Sequence, residues 1–231
     1  MPARPRECTA RVTAVRALTP DVLEADLAMV DPPELEFEAG QWVSVPFGPK
    51  LVRAYSIAST PQSPARITLC ADVAPGGLGS RWFRGLAAGA EVAFKGPLGG
   101  FVLGRADARR PLFVAEEIGI VPIRAILADL HETGDGRPAT LVYWARDRGW
   151  LVHDAEFRAL ARRRPGFAYH PVTGGAGEPG VEAAAAVDRL VADVGGLVAY
   201  VAGGAATIKR VREVLMAKGL ERKAVKWEKF W

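Results

Sequence analysis

At 231 residues, with 49% hydrophobic and 24% charged side chains, the chain has a globular composition and the length for one large or two modest domains. No apolar run approaches the roughly 20 residues that a membrane-spanning helix needs. A net charge of +4 with scattered arginines and no long basic stripe argues against nucleic acid as a partner.

The segment Met1 to Glu7 lacks the apolar core of a secretory signal, so the cytoplasm is the expected compartment. Cys8 and Cys70 are too few for a disulfide framework, an iron–sulfur cluster or a structural zinc, and His131, His153 and His170 fall at no metal-ligand spacing. No metal site is therefore expected.

From Cys8 to about Leu103 short β-rich stretches alternate with turn residues: Ala10 to Arg16, Val22 to Ala28, Gln41 to Val45, Val52 to Ile57, Arg66 to Val73 and Glu91 to Lys95. That spacing predicts a small antiparallel barrel. One helical piece, Ser80 to Leu86, follows the glycine-rich run Pro75 to Gly79. Gly104 to Arg110, polar and unpatterned, reads as a linker between a domain of residues 5–104 and one of residues 111–231.

Beyond Pro111 buried-strand patterns (Leu112 to Ala115, Thr140 to Trp144, Phe167 to Pro171, Leu197 to Ala202) alternate with helical ones (Val121 to His131, Asp154 to Arg162, Val181 to Val191, Ala205 to Lys218). Such alternation predicts a doubly wound parallel sheet, so the overall class is β followed by α/β. Ligands of these sheets bind beyond the carboxyl ends of the strands. The tract Thr173 to Gly180 reads as a mobile loop.

The densest chemistry lies in Arg53-Ala54-Tyr55-Ser56. On an extended strand Arg53 and Tyr55 project together and Ser56 the other way, so an aromatic ring would stack on Tyr55 while a phosphate reaches Arg53. Taken alone, the tetrapeptide is equally an ordinary amphipathic strand.

With its partners downstream, the segment resembles the flavin motif of the ferredoxin-NADP reductase superfamily. In that motif the arginine pairs with a phosphate, the tyrosine stacks on the isoalloxazine and the serine approaches flavin N5. Gly77-Leu78-Gly79-Ser80 is similar to the family's pyrophosphate turn, and Gly96-Pro97-Leu98-Gly99-Gly100-Phe101 to the stretch that closes its barrel. The resemblance implies a Greek-key barrel that binds FAD, with main-chain groups of Cys70, Ala71 and Asp72 at the flavin's pyrimidine edge. The tail Val225 to Trp231 resembles those in which a terminal aromatic pair lies along the flavin. By that likeness Phe230 would cover the ring, Trp231 would reach the adenine end, and Glu228 would sit near N5 as a charge or proton relay beside the catalytic Ser56.

One stretch departs from the family pattern. Pyridine-nucleotide users carry Gly-Gly-Thr-Gly-Ile-Ala-Pro after the first strand of the second domain; here it is Glu116-Glu117-Ile118-Gly119-Ile120-Val121-Pro122. Gly119 and Pro122 remain as candidate nucleotide contacts, with Arg146 and Gly203. Yet a carboxylate about 5 Å from a diphosphate would cost roughly 3 kcal/mol at an effective dielectric of 20, or around two orders of magnitude in affinity. The family's Cys-Gly-Pro appears as Ala202-Gly203-Gly204, and its 2′-phosphate-binding Ser-Arg pair as Thr173-Gly174.

The expectation is an FAD-dependent oxidoreductase passing electrons from NADH, rather than NADPH, to a separate one-electron acceptor such as a ferredoxin, cytochrome or oxygenase component. The alternative is an FAD-binding electron-transfer subunit that has lost its nicotinamide site and relays electrons within a larger complex.

Overall fold

A computed structural model describes residues 4–174, 178 and 180–231; Gly175 to Gly177 and Pro179, within the stretch read as a mobile loop, lie outside the described residues. The chain divides into two compact units, Met1–Leu103 with Arg124–Gly134, and Gly104–Ile123 with Asp135–Trp231.

The first unit is a six-stranded antiparallel sheet built from β1 (Arg6–Ala17), β2 (Val22–Asp31), β3 (Trp42–Pro46), β4 (Val52–Ser56), β5 (Arg66–Asp72) and β6 (Glu91–Leu98), in the order β4-β3-β6-β1-β2-β5. Alternation along the strands sends Ala10 and Val12, Ala25 and Leu27, Val43 and Val45, Ile67 and Leu69, and Val92 and Phe94 into one core. The sheet curls into a barrel because its two edges meet: Ile57 bridges Leu69, and the Ala58 N–H donates to the Thr68 carbonyl at 2.8 Å. A short helix, α1 (Leu78–Arg84), contributes Phe83 to the same core.

The second unit is a five-stranded parallel sheet of β7 (Arg110–Glu116), β8 (Ala139–Ala145), β9 (Phe167–Thr173), β10 (Leu197–Gly203) and β11 (Val225–Lys229), ordered β11-β10-β7-β8-β9. Its helices are α3 (Asp154–Arg163), α4 (Val181–Leu190) and α5 (Ala205–Ala217), while α2 (Ile120–Glu132) begins in this unit and from Arg124 onward belongs to the first. On one face Val114, Val142 and Val201 pack with Ala183 and Val187 of α4 and Ile208, Val211 and Leu215 of α5. On the other, Tyr143 meets Phe157 of α3 edge-on at 6.3 Å. Strand order reverses between β7 and β10, so the carboxyl ends of these two strands form the switch point of the sheet.

Val225 to Lys229 is an edge strand running parallel to β10, from Ala199 opposite Val225 to Gly203 opposite Lys229. Among the described residues, no helix is long and apolar enough to cross a membrane.

Candidate functional site

In the first unit β4 pairs with β3, Arg53 opposite Val45 and Tyr55 opposite Val43, which places Arg53 and Tyr55 on one face. The turn before α1 returns against them. The Tyr55 hydroxyl donates to the Gly79 carbonyl at 3.3 Å. A Cβ at Gly79 would stand 2.8 Å from Tyr55 Oη and 3.2 Å from Arg53 Cγ, so only glycine lets the turn come this close. The Tyr55 ring packs on Trp82 and Phe83 of α1, with centroids 5.4 and 5.5 Å away. Burial pushes its hydroxyl up to about 12, with Arg53 pulling the other way.

Arg53 itself is exposed and donates through its guanidinium to the Val52 carbonyl at 2.9 Å. Ahead of α1, Gly77 is extended and no side chain caps the helix, so the first-turn N–H groups of Leu78, Gly79 and Ser80 are offered beside the Arg53 stem. A diphosphate fits this cradle: glycine opens the approach, the amides supply donors and Arg53 supplies charge. Ala54 is exposed and Ser56 is buried, opposite Trp42.

Cys70 and Ala71 are buried on β5, while the Asp72 carboxylate accepts the Ala74 N–H at 2.8 Å. Burial, reinforced by Glu24, pushes the Cys70 thiol well above its ordinary range, which makes it a core residue and not a nucleophile.

In the second unit the switch point is occupied by the chain's own carboxylates. Glu116, 3% exposed at the end of β7, accepts the Gly204 N–H at 2.6 Å, in the place where an anion would sit before α5. Its side chain lies across β10, since a Cβ at Gly203 would meet Glu116 Cβ at 2.6 Å. Glu117 forms a bidentate pair with Arg146, Nε to Oε1 and Nη2 to Oε2 both at 2.6 Å, and the Arg146 guanidinium stacks on Trp150 at 3.9 Å.

Glu117 holds φ = 47°, the left-handed region that glycine enters freely and other residues reach at a cost of about 1 kcal/mol. It thus keeps the backbone of a glycine position while adding a carboxylate. Gly119 sits where a Cβ would strike the Ala202 carbonyl at 2.3 Å, which lets the turn after β7 lie directly on the end of β10. Pro122 follows in the first turn of α2.

Both anion-binding groups of this crevice, the Gly204 amide and the Arg146 fork, are therefore satisfied from within the chain. These pairings span 88 and 29 residues, and the sequence shows the carboxylates only as charges at glycine positions that would repel a diphosphate, without their partners.

At the carboxyl end Glu228 stands in β11 opposite Ala202, the Phe230 N–H donates to the Gly203 carbonyl at 3.1 Å, and the Trp231 indole lies on Gly204, where a Cβ would meet its Nε1 at 2.5 Å.

A closed antiparallel barrel with a glycine-rich anion cradle, followed by a doubly wound parallel sheet, defines the two-domain flavin reductase architecture. Residues 9–103 match the model of the oxidoreductase FAD-binding domain family. The chain is 35% identical over 156 residues to ferredoxin–NADP reductase B of Sorangium cellulosum, covering 66% of this chain and 64% of the relative. It is 31% identical over 215 residues to the ferredoxin–NAD(P)+ reductase component of the naphthalene 1,2-dioxygenase/salicylate 5-hydroxylase systems of a Ralstonia species, covering 90% and 64%. The chain thus spans under two thirds of either relative's length.

Among solved structures, the Amycolatopsis cytochrome P450 reductase GcoB superposes with a TM-score of 0.86 at 26% identity, over 98% of this chain and 70% of that one. A Neisseria gonorrhoeae ferredoxin NADP+ reductase shares the fold at a TM-score of 0.81 and 18% identity, over 99% and 100%. The chain is similar to the ferredoxin reductases in its FAD-binding domain and in its fold.

Proposed function

We propose that the chain is an FAD-dependent electron-transfer protein that works with a separate one-electron redox protein: a ferredoxin, a cytochrome or an oxygenase component. The observation that carries this reading is the contact of Arg53, Tyr55 and Gly79, which joins a cation, an aromatic ring and an uncapped glycine turn in one cradle.

Arg53 and the amides of Leu78, Gly79 and Ser80 would hold the diphosphate, Tyr55 would present its ring, and Ser56 would stand toward N5. Main-chain groups of Cys70, Ala71 and Asp72 would meet the pyrimidine edge. FAD, when bound, supplies the chemistry of taking two electrons and passing them on singly; the protein binds and orients it.

A specific observation favours the second reading, in which the nicotinamide site is closed and electrons arrive from another protein. Glu116 on the Gly204 amide and Glu117 on Arg146 fill the positions that a nucleotide diphosphate requires. The test is a visible spectrum of the FAD-reconstituted protein under anaerobic conditions. Bleaching near 450 nm by dithionite but by neither NADH nor NADPH is the expected result. Rapid bleaching by NADH would restore the nicotinamide-dependent reading, and failure to retain any FAD would overturn both.

A further inference from the structure

Charge is unevenly spread along the chain. Residues 205–231 carry eight lysines and arginines against three glutamates, a surplus of five that exceeds the +4 of the entire chain, and they include five of its seven lysines. The rest of the molecule is close to neutral in sum, so the net positive charge lies in this stretch, which includes α5 and β11.

These two elements also enclose a groove of about 360 Å³ in the second unit. Its apolar lining is Ile208, Met216 and Trp227, and its cations are Lys209, Arg212 and Lys229. One carboxylate, Glu213, shares the groove and pairs with Lys209 at 3.9 Å. Trp227 is 52% exposed and Met216 45% exposed, side chains that a settled core would cover.

The groove runs beside a sheet edge, since among the described residues β11 has β10 as its one neighbouring strand. The Phe230 N–H points to the Gly203 carbonyl, and main-chain direction alternates along a strand. The N–H and C=O groups of Trp227 and Lys229 therefore face away from β10. The same two residues send their side chains into the groove.

We infer that this edge and groove dock an acidic, extended segment of a partner protein, added to β11 as a sixth strand. Main-chain pairing would hold the segment, its alternate apolar side chains would cover Trp227 and Met216, and its carboxylates would meet Lys209, Arg212 and Lys229. A second copy of this chain is a poor occupant, because two surfaces of the same positive sign would face each other. The inference adds a means of holding a partner to the proposed function, but its test involves neither flavin nor electron transfer, so either can fail alone.

The probe is an acetylated and amidated octapeptide of alternating valine and glutamate, added to the full chain and followed by tryptophan fluorescence and calorimetry. Saturable binding at about 20 mM salt, weakened at about 500 mM, is expected. The double variant Lys209→Glu/Lys229→Glu, checked for an unchanged far-ultraviolet spectrum, should bind about tenfold more weakly, and Trp227→Ala should lose the fluorescence response. A valine–lysine octapeptide, and a version with proline in place of alternate valines, should not bind. Absence of binding by the acidic peptide would overturn the inference. So would equal binding by either control peptide, an unaffected double variant, or tighter capture of the chain by phosphatidylserine vesicles or duplex DNA than by the peptide.

Discussion

Glu116 and Gly204 are 88 residues apart in sequence, yet the carboxylate of one caps the amide of the other at 2.6 Å. This contact gives the amide at the N-cap of α5 an acceptor from within the chain, which an anion entering there would have to displace.

Removing the two carboxylates should open the crevice. Glu116→Gly with Glu117→Gly frees the Gly204 amide and the Arg146 fork, and NADH affinity is expected to rise by about tenfold or more. Titration of the FAD-loaded variant with NADH reads this directly. Unchanged affinity would show that the carboxylates are not what closes the site. Glu116→Ala alone should cost about 1–2 kcal/mol in urea unfolding, the value of a lost helix cap.

Glu117 and Arg146 should behave as a coupled pair. Arg146→Ala leaves a buried carboxylate on a left-handed backbone and should destabilise by about 1–3 kcal/mol. Glu117→Gly loses the pair but relieves the backbone, so its net effect should stay within about 0.5 kcal/mol. A double-mutant cycle should return a coupling of about 1–2 kcal/mol. Additivity would mean that the bidentate contact is energetically idle.

Gly79→Ala inserts a methyl 2.8 Å from Tyr55 Oη and should weaken FAD retention by about tenfold or more. Adding Tyr55→Phe removes the clashing oxygen while keeping a ring. Partial recovery of FAD in the double variant, measured by the 450 nm absorbance retained through gel filtration, is expected; none would place the damage elsewhere.

Alkaline titration offers a test that needs no cofactor. Burial holds the hydroxyls of Tyr55, Tyr169 and Tyr200 above the usual range, Tyr55 at about 12, with Asp154 adding to the effect at Tyr169 and Asp107 at Tyr200. Each binds its proton more tightly folded than unfolded, so the stabilisation is complete below pH 10 and declines as pH rises toward the folded values. Absorbance at 295 nm should therefore show most tyrosines un-ionised at pH 11 in the folded protein. A full change centred near pH 10 with the fold intact would contradict this.

Among the described residues, strand and helix periodicities locate ten of the eleven strands and the five α-helices to within a few residues, because apolar alternation in Val43-Ser44-Val45 or the run Leu112 to Ala115 reports burial directly. The exception is β11. Val225-Lys226-Trp227-Glu228-Lys229 reads as a charged aromatic tail, and only its pairing with β10 makes it a strand. The contact of Arg53, Tyr55 and Gly79 joins two motifs that were legible separately, because their residue types carry the chemistry in their identities. What Glu116 and Glu117 do was not, because a carboxylate's partner 88 or 29 residues away leaves no local trace.

The strand that carries Arg53 and Tyr55 is also the last stave of the barrel. It lies along β3 over five paired residues, whereas the opposite seam is joined by the Ile57–Leu69 bridge. A molecule gripping both β4 and the α1 turn works as a clasp at that seam, so the cofactor-free protein should breathe there first. Its exposure to proteases and its shelf life would then follow how completely it has been loaded, even where the fold at equilibrium is the same.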